Sequence, residues 1–290
     1  MMKSGEAHRQ LRKIFEPAFT PLAIRDYTSA IDTITQEQLG KWCESGEWQT
    51  PREWALLAMR IFFVCAFGEA NEERMARLAS LFENWTAGFN SIIPFAIPGT
   101  LLGRAHYNRN ELDKELLAMI DEFKTKNPKG SEAAKKSVMG RLCYAVDEDG
   151  KEPTQKVLLD NLRFFLVAGF DTTKASFGAI SRFITENHDL ESALVEECRS
   201  LKDPIDIDEI KNEAPILNAV LAETWRLVAP LSSHAGIATE DLHYKSYVLP
   251  KGILLAHDIH GHNVMNDTLY PDAAKFHFER WLPKDHPLYN

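Results

Sequence analysis

The feature that most constrains this chain is one continuous helical pattern across residues 154–187, with the sequence TQKVLLDNLRFFLVAGFDTTKASFGAISRFITEN. Helices in globular proteins average about 11–12 residues, so this one is exceptionally long. Apolar side chains recur along it at helical spacing and are interrupted near the centre by small and polar residues. The pattern predicts one long helix within a mainly helical fold.

The rest of the chain divides at Pro230. From Gly5 to about Leu201 helical patterns are broken only where Pro and Gly cluster, which predicts eight or nine helices. After Pro230 two β-favouring segments, HYKSYVLP and GILLAHDI, are separated by Pro-Lys-Gly and predict a small antiparallel hairpin. We expect a single domain over residues 1–290, helical over 1–230, with the hairpin and a connecting loop over 231–290.

Composition excludes several classes of protein. A net charge of -9 over 290 residues, without a basic stripe, argues against a nucleic-acid partner. The four cysteines form no CxxC pair and indicate reduced thiols in a cytosol-facing compartment. The most apolar stretch, ALLAMRIFFVCAFG, is too short for a membrane span, and the first residues show no signal-peptide pattern.

The centre of the long helix is chemically unusual. Ala168 and Gly169 remove side-chain bulk, and Asp171, Thr172 and Thr173 place an acid and two hydroxyls among phenylalanines. Small residues let a large flat group approach the backbone, and an acid in apolar surroundings requires a partner. The alternative interpretation is a helix crossing at Gly169, with Asp171 on a solvated face.

Two other segments pair charged groups. Glu223 and Arg226 lie three residues apart on an apolar helix, and Arg280 follows in FHFERWLP. His8 and Arg12 lie four residues apart on one helical face near the start of the chain. A surface ion pair and a solvated basic face are the respective alternatives.

The histidines His257, His260 and His262 suggest a metal site, since imidazole is the commonest metal ligand. No acid or cysteine stands at a standard ligand spacing from them. Strand alternation would also place His257 and His260 on opposite faces. We therefore predict no metal site from these residues.

The segments with the N-terminal His and Arg, Ala-Gly-x-Asp-Thr-Thr, Glu-x-x-Arg and Glu-Arg-Trp resemble, in this order along the chain, those of cytochromes P450, the haem-thiolate monooxygenases. The resemblance implies that Asp171 and Thr172 are the acid-alcohol pair that relays protons to iron-bound dioxygen. It implies that Ala168 and Gly169 lie at the distal face of the haem, and that Thr173 is mainly structural.

The resemblance also assigns the charged pairs. Arg280 would reach back to Glu223 and Arg226 in a buried network near the proximal side of the haem, although Phe278 stands where the family usually has proline.

His8 and Arg12 would bind one haem propionate. For the other propionate the family commonly supplies an arginine, but LSSHAGIATED contains none, and His234 is the candidate substitute.

The implied activity is oxidation of an apolar small molecule in secondary metabolism, of terpenoid, sterol, retinoid or fatty acyl type. The reaction would use O2 and electrons from an NADPH-dependent reductase or a ferredoxin. The expected pocket wall is Phe164, Phe165, Val167, Ala168 and Phe170. The apolar loop SIIPFAIPGTLL would form a substrate entry near a membrane surface. As written, the chain is expected in the cytoplasm, whereas a eukaryotic full-length form would lie at the endoplasmic reticulum membrane.

The resemblance runs from His8 to Trp281 and implies an incomplete cytochrome P450 fold. A full member continues with Phe-x-x-Gly-x-x-x-Cys-x-Gly, whose thiolate holds the iron. Since none of the four cysteines stands in such a motif, we expect no iron ligand and no monooxygenation from this chain alone. The alternative function is a non-catalytic remnant, or a binding or interaction module derived from the family.

Overall fold

The computed structural model describes residues 5–46, 50–68, 71–202 and 206–289, with backbone only at 50 and 51. Over these residues the chain is mainly helical with small antiparallel sheets, which confirms the predicted fold class. The chain divides into two compact units, Met1–Phe170 and Asp171–Asn290. The expectation of a single domain stays a prediction.

The first unit is helical throughout its described part. Its α-helices are α1 Gly5–Phe15, α2 Pro21–Ser45, α3 Thr50–Phe67, α4 Glu72–Ala87, α5 Leu101–Lys126, α6 Glu132–Lys136, α7 Val138–Cys143 and the first half of α8 Gln155–Thr185, with 3-10 turns at Glu16–Phe19 and Gly88–Asn90. Polar caps define where these helices begin: the Thr20 hydroxyl accepts from the Ala23 amide at 3.2 Å. Gly46, at φ 63°, ends α2.

The core of the first unit is built from large apolar side chains with almost no exposed surface. They are Met59, Phe63, Leu78, Phe82, Leu112, Leu116, Ile120, Met139, Leu142, Leu158, Leu162 and Phe170. The rings of Phe82 and Phe170 meet edge to face at 5.2 Å, so α4 packs against the middle of α8.

The second unit combines helices with two small sheets. It contains the end of α8, α9 His188–Ser200, α10 Ile207–Glu213, α11 Pro215–Leu227, α12 Ile259–Val264 and a 3-10 turn at Phe278–Trp281. Its strands are β1 Ser233–Ile237, β2 Leu242–Tyr244, β3 Tyr247–Leu249 and β4 Leu254–Asp258. An apolar cluster of Leu190, Leu194, Ile216, Ala219, Val220, Phe278 and Leu282 joins α9, α11 and the 3-10 turn.

The predicted strand pairing is wrong. β2 pairs with β3 in a tight hairpin, with Lys245 at φ 54°, and β4 pairs with β1 so that His234 lies opposite His257. The Pro-Lys-Gly turn therefore joins two separate sheets. His260 belongs to α12, so strand alternation does not apply to it. The described residues contain no group of three or more His, Cys, Asp or Glu that could hold a metal ion.

The helical predictions hold up well. Nine α-helices lie between Gly5 and Ser200 in the described ranges, within the predicted eight or nine, and α8 covers all but the ends of the predicted segment. No helix in those ranges is long and apolar enough to cross a membrane.

The contact between the 3-10 turn after α4 and helix α5 requires a residue without a side chain at position 88. A Cβ added to Gly88 would lie 2.3 Å from the Cβ of Ala105, which is itself 2 % exposed. Because both positions are buried, neither backbone can move away without disturbing the core.

Replacing Gly88 with alanine should therefore lower the free energy of unfolding by about 1–3 kcal/mol through overpacking. The double variant Gly88→Ala, Ala105→Gly should recover part of that loss, limited by the cost of about 1 kcal/mol for glycine inside a helix. Urea denaturation followed by circular dichroism measures both. Gly178→Ala is the matched control, because an added Cβ there meets nothing within 4 Å; equal destabilisation by the two alanines would contradict the steric account.

Candidate active site

One side of α8 is left open. Phe164, Ala168, Thr172 and Ala175 are spaced four, four and three residues apart and therefore share a face, which we call the open face. Phe164 is 60 % exposed, Ala168 and Ala175 are exposed, and Thr172 is partly buried. Phe170, by contrast, is fully buried against Phe82, so the expectation that it lines the same wall as Phe164 is wrong.

Ala168 and Gly169 have different surroundings. Ala168 lies on the open face, whereas a Cβ added to Gly169 would lie 3.5 Å from Cδ2 of Phe62, an ordinary contact distance. Gly169 thus lies against α3, and an alanine would fit there. Of the two residues, Ala168 is exposed and Gly169 is partly buried, and their assignment as cofactor contacts stays a prediction.

The polar turn after Phe170 is held by two interactions. The Asp171 carboxylate accepts from Lys174 Nζ at 2.9 Å, and both side chains are partly exposed. The carbonyl of Thr172 accepts from the Ser176 hydroxyl at 2.9 Å. Sequence reasoning missed Lys174, although an acid and a lysine at i, i+3 on a helix are a recognisable signal.

Helix α1 lies in the same unit as the first half of α8. Phe165 packs on Phe15 and Phe19 with ring centroids 6.2 Å and 5.0 Å away. His8 and Arg12 are exposed on α1, and no hydrogen bond or ion pair of either side chain is found within the described ranges. Both side chains therefore remain available to an outside carboxylate.

His234, the candidate for a second propionate contact, is an exposed residue of β1 in the second unit. It lies opposite His257 in the two-stranded sheet. The structure thus shows a solvent-accessible imidazole there.

In the second unit, a buried carboxylate gathers donors around α11. Glu223 is 0 % exposed and Arg226 is 4 % exposed. Nε and Nη2 of Arg226 each donate to one Glu223 oxygen at 2.8 Å, a bidentate pair.

Three further donors complete the coordination of the carboxylate. The His277 amide donates at 2.8 Å, Arg280 Nε at 3.2 Å and Trp281 Nε1 at 2.7 Å. We call Glu223, Arg226, His277, Arg280 and Trp281 the carboxylate network. Sequence reasoning named the three charged members and missed the His277 amide and the Trp281 indole, which lie in irregular chain and a 3-10 turn.

Arg226 also ties the connecting segment to α11. Its Nη1 donates to the carbonyls of Asn263 at 2.5 Å and Ala273 at 2.6 Å, and Nη2 to that of Lys275 at 3.0 Å. Its guanidinium lies over the Tyr270 ring, 5.1 Å from the centroid. One side chain therefore organises backbone from α12 to the last turn.

Burial by itself would raise the pKa of Glu223. The hydrogen bonds from Arg226, Trp281 and the His277 amide, with the charge of Arg226, outweigh burial and hold that pKa below its usual value of 4.5. The carboxylate is accordingly charged at neutral pH.

Three of the four cysteines have surroundings that oppose a thiolate. Burial raises the pKa of Cys65 to about 11 and that of Cys143 to about 12, and it raises the pKa of Cys198 as well. Cys43 is exposed on α2. An iron-binding cysteine must be deprotonated, which these surroundings oppose.

Comparison with known proteins decides the family, since the sequence profile described as Cytochrome P450 matches residues 1–289. The chain belongs to the cytochrome P450 family. It is 26 % identical over 287 residues to the putative cytochrome P450 120 of Synechocystis, covering 99 % of this chain and 63 % of that protein. It is 28 % identical over 253 residues to abscisic acid 8'-hydroxylase 1 of Arabidopsis thaliana, covering 86 % of this chain and 52 % of that protein.

The structure agrees with the sequence comparison. The retinoic acid bound cyanobacterial CYP120A1 superposes with a TM-score of 0.86 and 26 % identity, over 97 % of this chain and 63 % of that one. The cytochrome P450 chain thus spans between half and two thirds of the length of these relatives.

Cytochromes P450 are haem-dependent monooxygenases, and this chain's residues fit haem in part. His8 and Arg12 have no intrachain partner in the described ranges, and an imidazole N–H and a guanidinium can both donate to a propionate. Ala168 is exposed and adds little bulk to the open face. His234 is the remaining candidate. Cys65, Cys143 and Cys198 do not fit, because burial raises the pKa of each thiol and opposes the thiolate that iron binding requires.

The carboxylate network predicts a large effect of Glu223→Gln. The amide keeps the shape but leaves the buried Arg226 and the partly buried Arg280 without their countercharge, so we expect a loss of about 3–5 kcal/mol in the free energy of unfolding at pH 7. Because the folded-state pKa of Glu223 is lowered, its stabilisation is fully present above its unfolded-state pKa and is lost as the pH falls through the folded value. The difference between variant and parent should therefore shrink below pH about 4.5.

Chemical denaturation at pH 7 and at pH 4 measures this difference. Glu196→Gln, on the exposed side of α9, is the control and should change stability by less than about 0.5 kcal/mol. A penalty for Glu223→Gln that stays constant down to pH 3 would contradict the assignment of a charged carboxylate.

Proposed function

We propose that this chain is the part of a haem-dependent monooxygenase that supplies the helix over the oxygen-binding side of the haem and the network that secures the opposite side. The observation that carries the proposal is the open face of α8, where Ala168 and Thr172 stand one turn apart beside Phe164. The matches to relatives named as hydroxylases and monooxygenases support it.

Three residues of the open face and the neighbouring Asp171 each have a defined task in this proposal. Phe164 and Ala168 give an apolar surface that excludes water and admits a flat ring. The Thr172 hydroxyl hands a proton to the reacting oxygen and takes one in return from solvent through the Asp171 carboxylate, which Lys174 holds in place. Haem, when bound, supplies the redox-active iron.

His8 and Arg12 would orient the cofactor through its carboxylates, as a guanidinium does by charge-assisted hydrogen bonds. His234 would take the second carboxylate. The carboxylate network fixes α11 and the segment that follows it, which keeps the second unit in one conformation.

For the substrate we propose an apolar molecule of the terpenoid or retinoid type, with sterols and fatty acyl compounds as the other members of the class. The relatives' names mention abscisic acid and beta-amyrin, and one solved relative contains retinoic acid. Electrons would come from an NADPH-dependent reductase or a ferredoxin.

Thr172→Ala tests the catalytic assignment in the protein produced from the full transcript that encodes this chain. Without the hydroxyl, proton delivery slows, so product formation should fall about 10²-fold while reduced oxygen escapes as hydrogen peroxide. Product and peroxide are measured per NADPH consumed. Thr173→Ala, the neighbouring hydroxyl, is the control and should retain near-parental product yield; an equal loss in both variants would sink the assignment of Thr172.

A second candidate function concerns the 290-residue chain by itself: a non-catalytic binding or interaction module. The raised pKa values of Cys65, Cys143 and Cys198 favour it. The carbon monoxide difference spectrum of the haem-reconstituted chain separates the two candidates. A thiolate-type Soret band from these 290 residues would rule out the second candidate.

We further propose that the loop between α4 and α5 touches a membrane surface. Residues 88–103 carry no charge, and Phe89, Ile92, Phe95 and Ile97 are 57–97 % exposed. Tyr107, exposed on α5 just beyond the loop, is of the type that favours the lipid-water boundary. A cluster of large apolar side chains in water is costly and marks an interaction site.

Sedimentation with phosphatidylcholine vesicles tests the loop. Ile92→Ser with Phe95→Ser should weaken vesicle binding at least tenfold, since burying each side chain stabilises association by about 1.5–3 kcal/mol. Leu22→Ser, which removes an exposed leucine from α2, is the control and should bind like the parent. Unchanged binding by the double variant would contradict the proposal.

A further inference from the structure

A short hydrogen-bond chain joins α11 to the Thr172 turn of α8. Trp225 Nε1 donates to the Ser176 hydroxyl at 3.0 Å, and that hydroxyl donates to the Thr172 carbonyl at 2.9 Å. All three residues belong to the second unit. The chain therefore links the helix of the carboxylate network to the turn that carries the candidate proton donor.

The indole determines which groups donate and which accept in this hydrogen-bond chain. A tryptophan Nε1–H can only donate, so the Ser176 oxygen must accept from it. The serine proton is then directed to the remaining acceptor in reach, the Thr172 carbonyl. A lone serine in a helix could rotate its hydroxyl, whereas this one is held in a single orientation.

The helix that carries Trp225, the first donor of this hydrogen-bond chain, is held in place by Arg226. Trp225 stands between Thr224 and Arg226 on α11, and Arg226 is bound by Glu223 and three backbone carbonyls. The indole itself is 47 % exposed, so burial contributes less to its position than in a core tryptophan. Its position follows from the helix it stands on and from the bond to Ser176.

The effect falls on the backbone of α8. A serine hydroxyl that bonds to the carbonyl four residues earlier shares that carbonyl with the helical N–H and bends the helix locally. Thr172 is the residue whose carbonyl is shared. The direction of the Thr172 Cα–Cβ bond, and therefore the orientation of its side chain on the open face, depends on that bend.

We propose that Trp225 and Ser176 are positioning residues that set the orientation of Thr172. This rests on the proposed function, in which the Thr172 hydroxyl delivers a proton. The pair acts through the backbone and touches neither substrate nor cofactor.

The first test detects the Trp225–Ser176 hydrogen bond in the 290-residue protein in solution. In protein labelled with 15N-tryptophan, six indole signals are expected, and Trp225→Phe identifies one by its loss. Ser176→Ala should shift that signal and speed hydrogen exchange of the amides of residues 172–176 about three- to tenfold, the factor that one ordinary hydrogen bond supplies. Ser176→Thr, which keeps a hydroxyl, should restore both.

The matched control is Ser181→Ala. Ser181 lies on the same helix and donates to the Phe177 carbonyl at 2.7 Å in the same i, i-4 geometry. The Ser181→Ala substitution should leave the Trp225 signal and the hydrogen-exchange rates of the 172–176 amides unchanged. A Trp225 signal that does not move in Ser176→Ala overturns the proposal, because the bond is then absent in solution.

The second test uses the haem-loaded protein from the full transcript. Trp225→Phe and Ser176→Ala should raise the share of electrons lost as peroxide about threefold, within the effect of an ordinary hydrogen bond, at unchanged substrate affinity and carbon monoxide spectrum. Ser176→Thr should return the share to the parental value. An unchanged peroxide share overturns the positioning role even where the first test finds the bond.

The two proposals fail in different ways. A parent protein that binds haem but forms no product refutes the proposed function, and the positioning role with it. A parent that forms product, with variants of unchanged peroxide share, refutes the positioning role alone.

Discussion

The buried carboxylate of Glu223 is the constraint on which the second unit depends. A charge removed from water is strongly unfavourable unless every acceptor site is used. Here donors from Arg226, Arg280, Trp281 and the His277 amide converge on two oxygens. To supply them, the irregular chain after α12 must return to α11, which explains how a segment almost without regular structure adopts a defined path.

The long helix α8 presents two different surfaces. Leu158, Leu162, Leu166 and Phe170 form a buried stripe at four-residue spacing, and the open face lies elsewhere on the same helix. The buried stripe fixes the helix through ordinary packing, so the open face can retain small and polar residues that contribute little to stability. The packing of the buried stripe thus holds α8 in place, while the open face carries residues suited to chemistry.

Much of this arrangement could be predicted from the sequence, because it depends on local periodicity. The extent of α8, the nine helices up to Ser200 and the i, i+3 pairing of Glu223 with Arg226 all follow from spacing along one helix. The β pairing could not, since register between β1 and β4 is decided by contacts about twenty residues apart rather than by the Pro-Lys-Gly turn. Nor could the surroundings of Gly169 or the bond from Trp225 to Ser176 be predicted, because each needs a neighbour from another helix.

The carboxylate network also sets an order of events during synthesis. The partners of Glu223 from the last turn are 54, 57 and 58 residues further along the chain, so they leave the ribosome well after α11 has formed. Until then the carboxylate can bind only Arg226 and water, and α11 cannot be withdrawn from solvent at a favourable energy. Closing so long a loop carries an entropic cost that only the finished set of donors offsets. The second unit is therefore expected to mature only after Trp281 has emerged from the ribosome, in a single step.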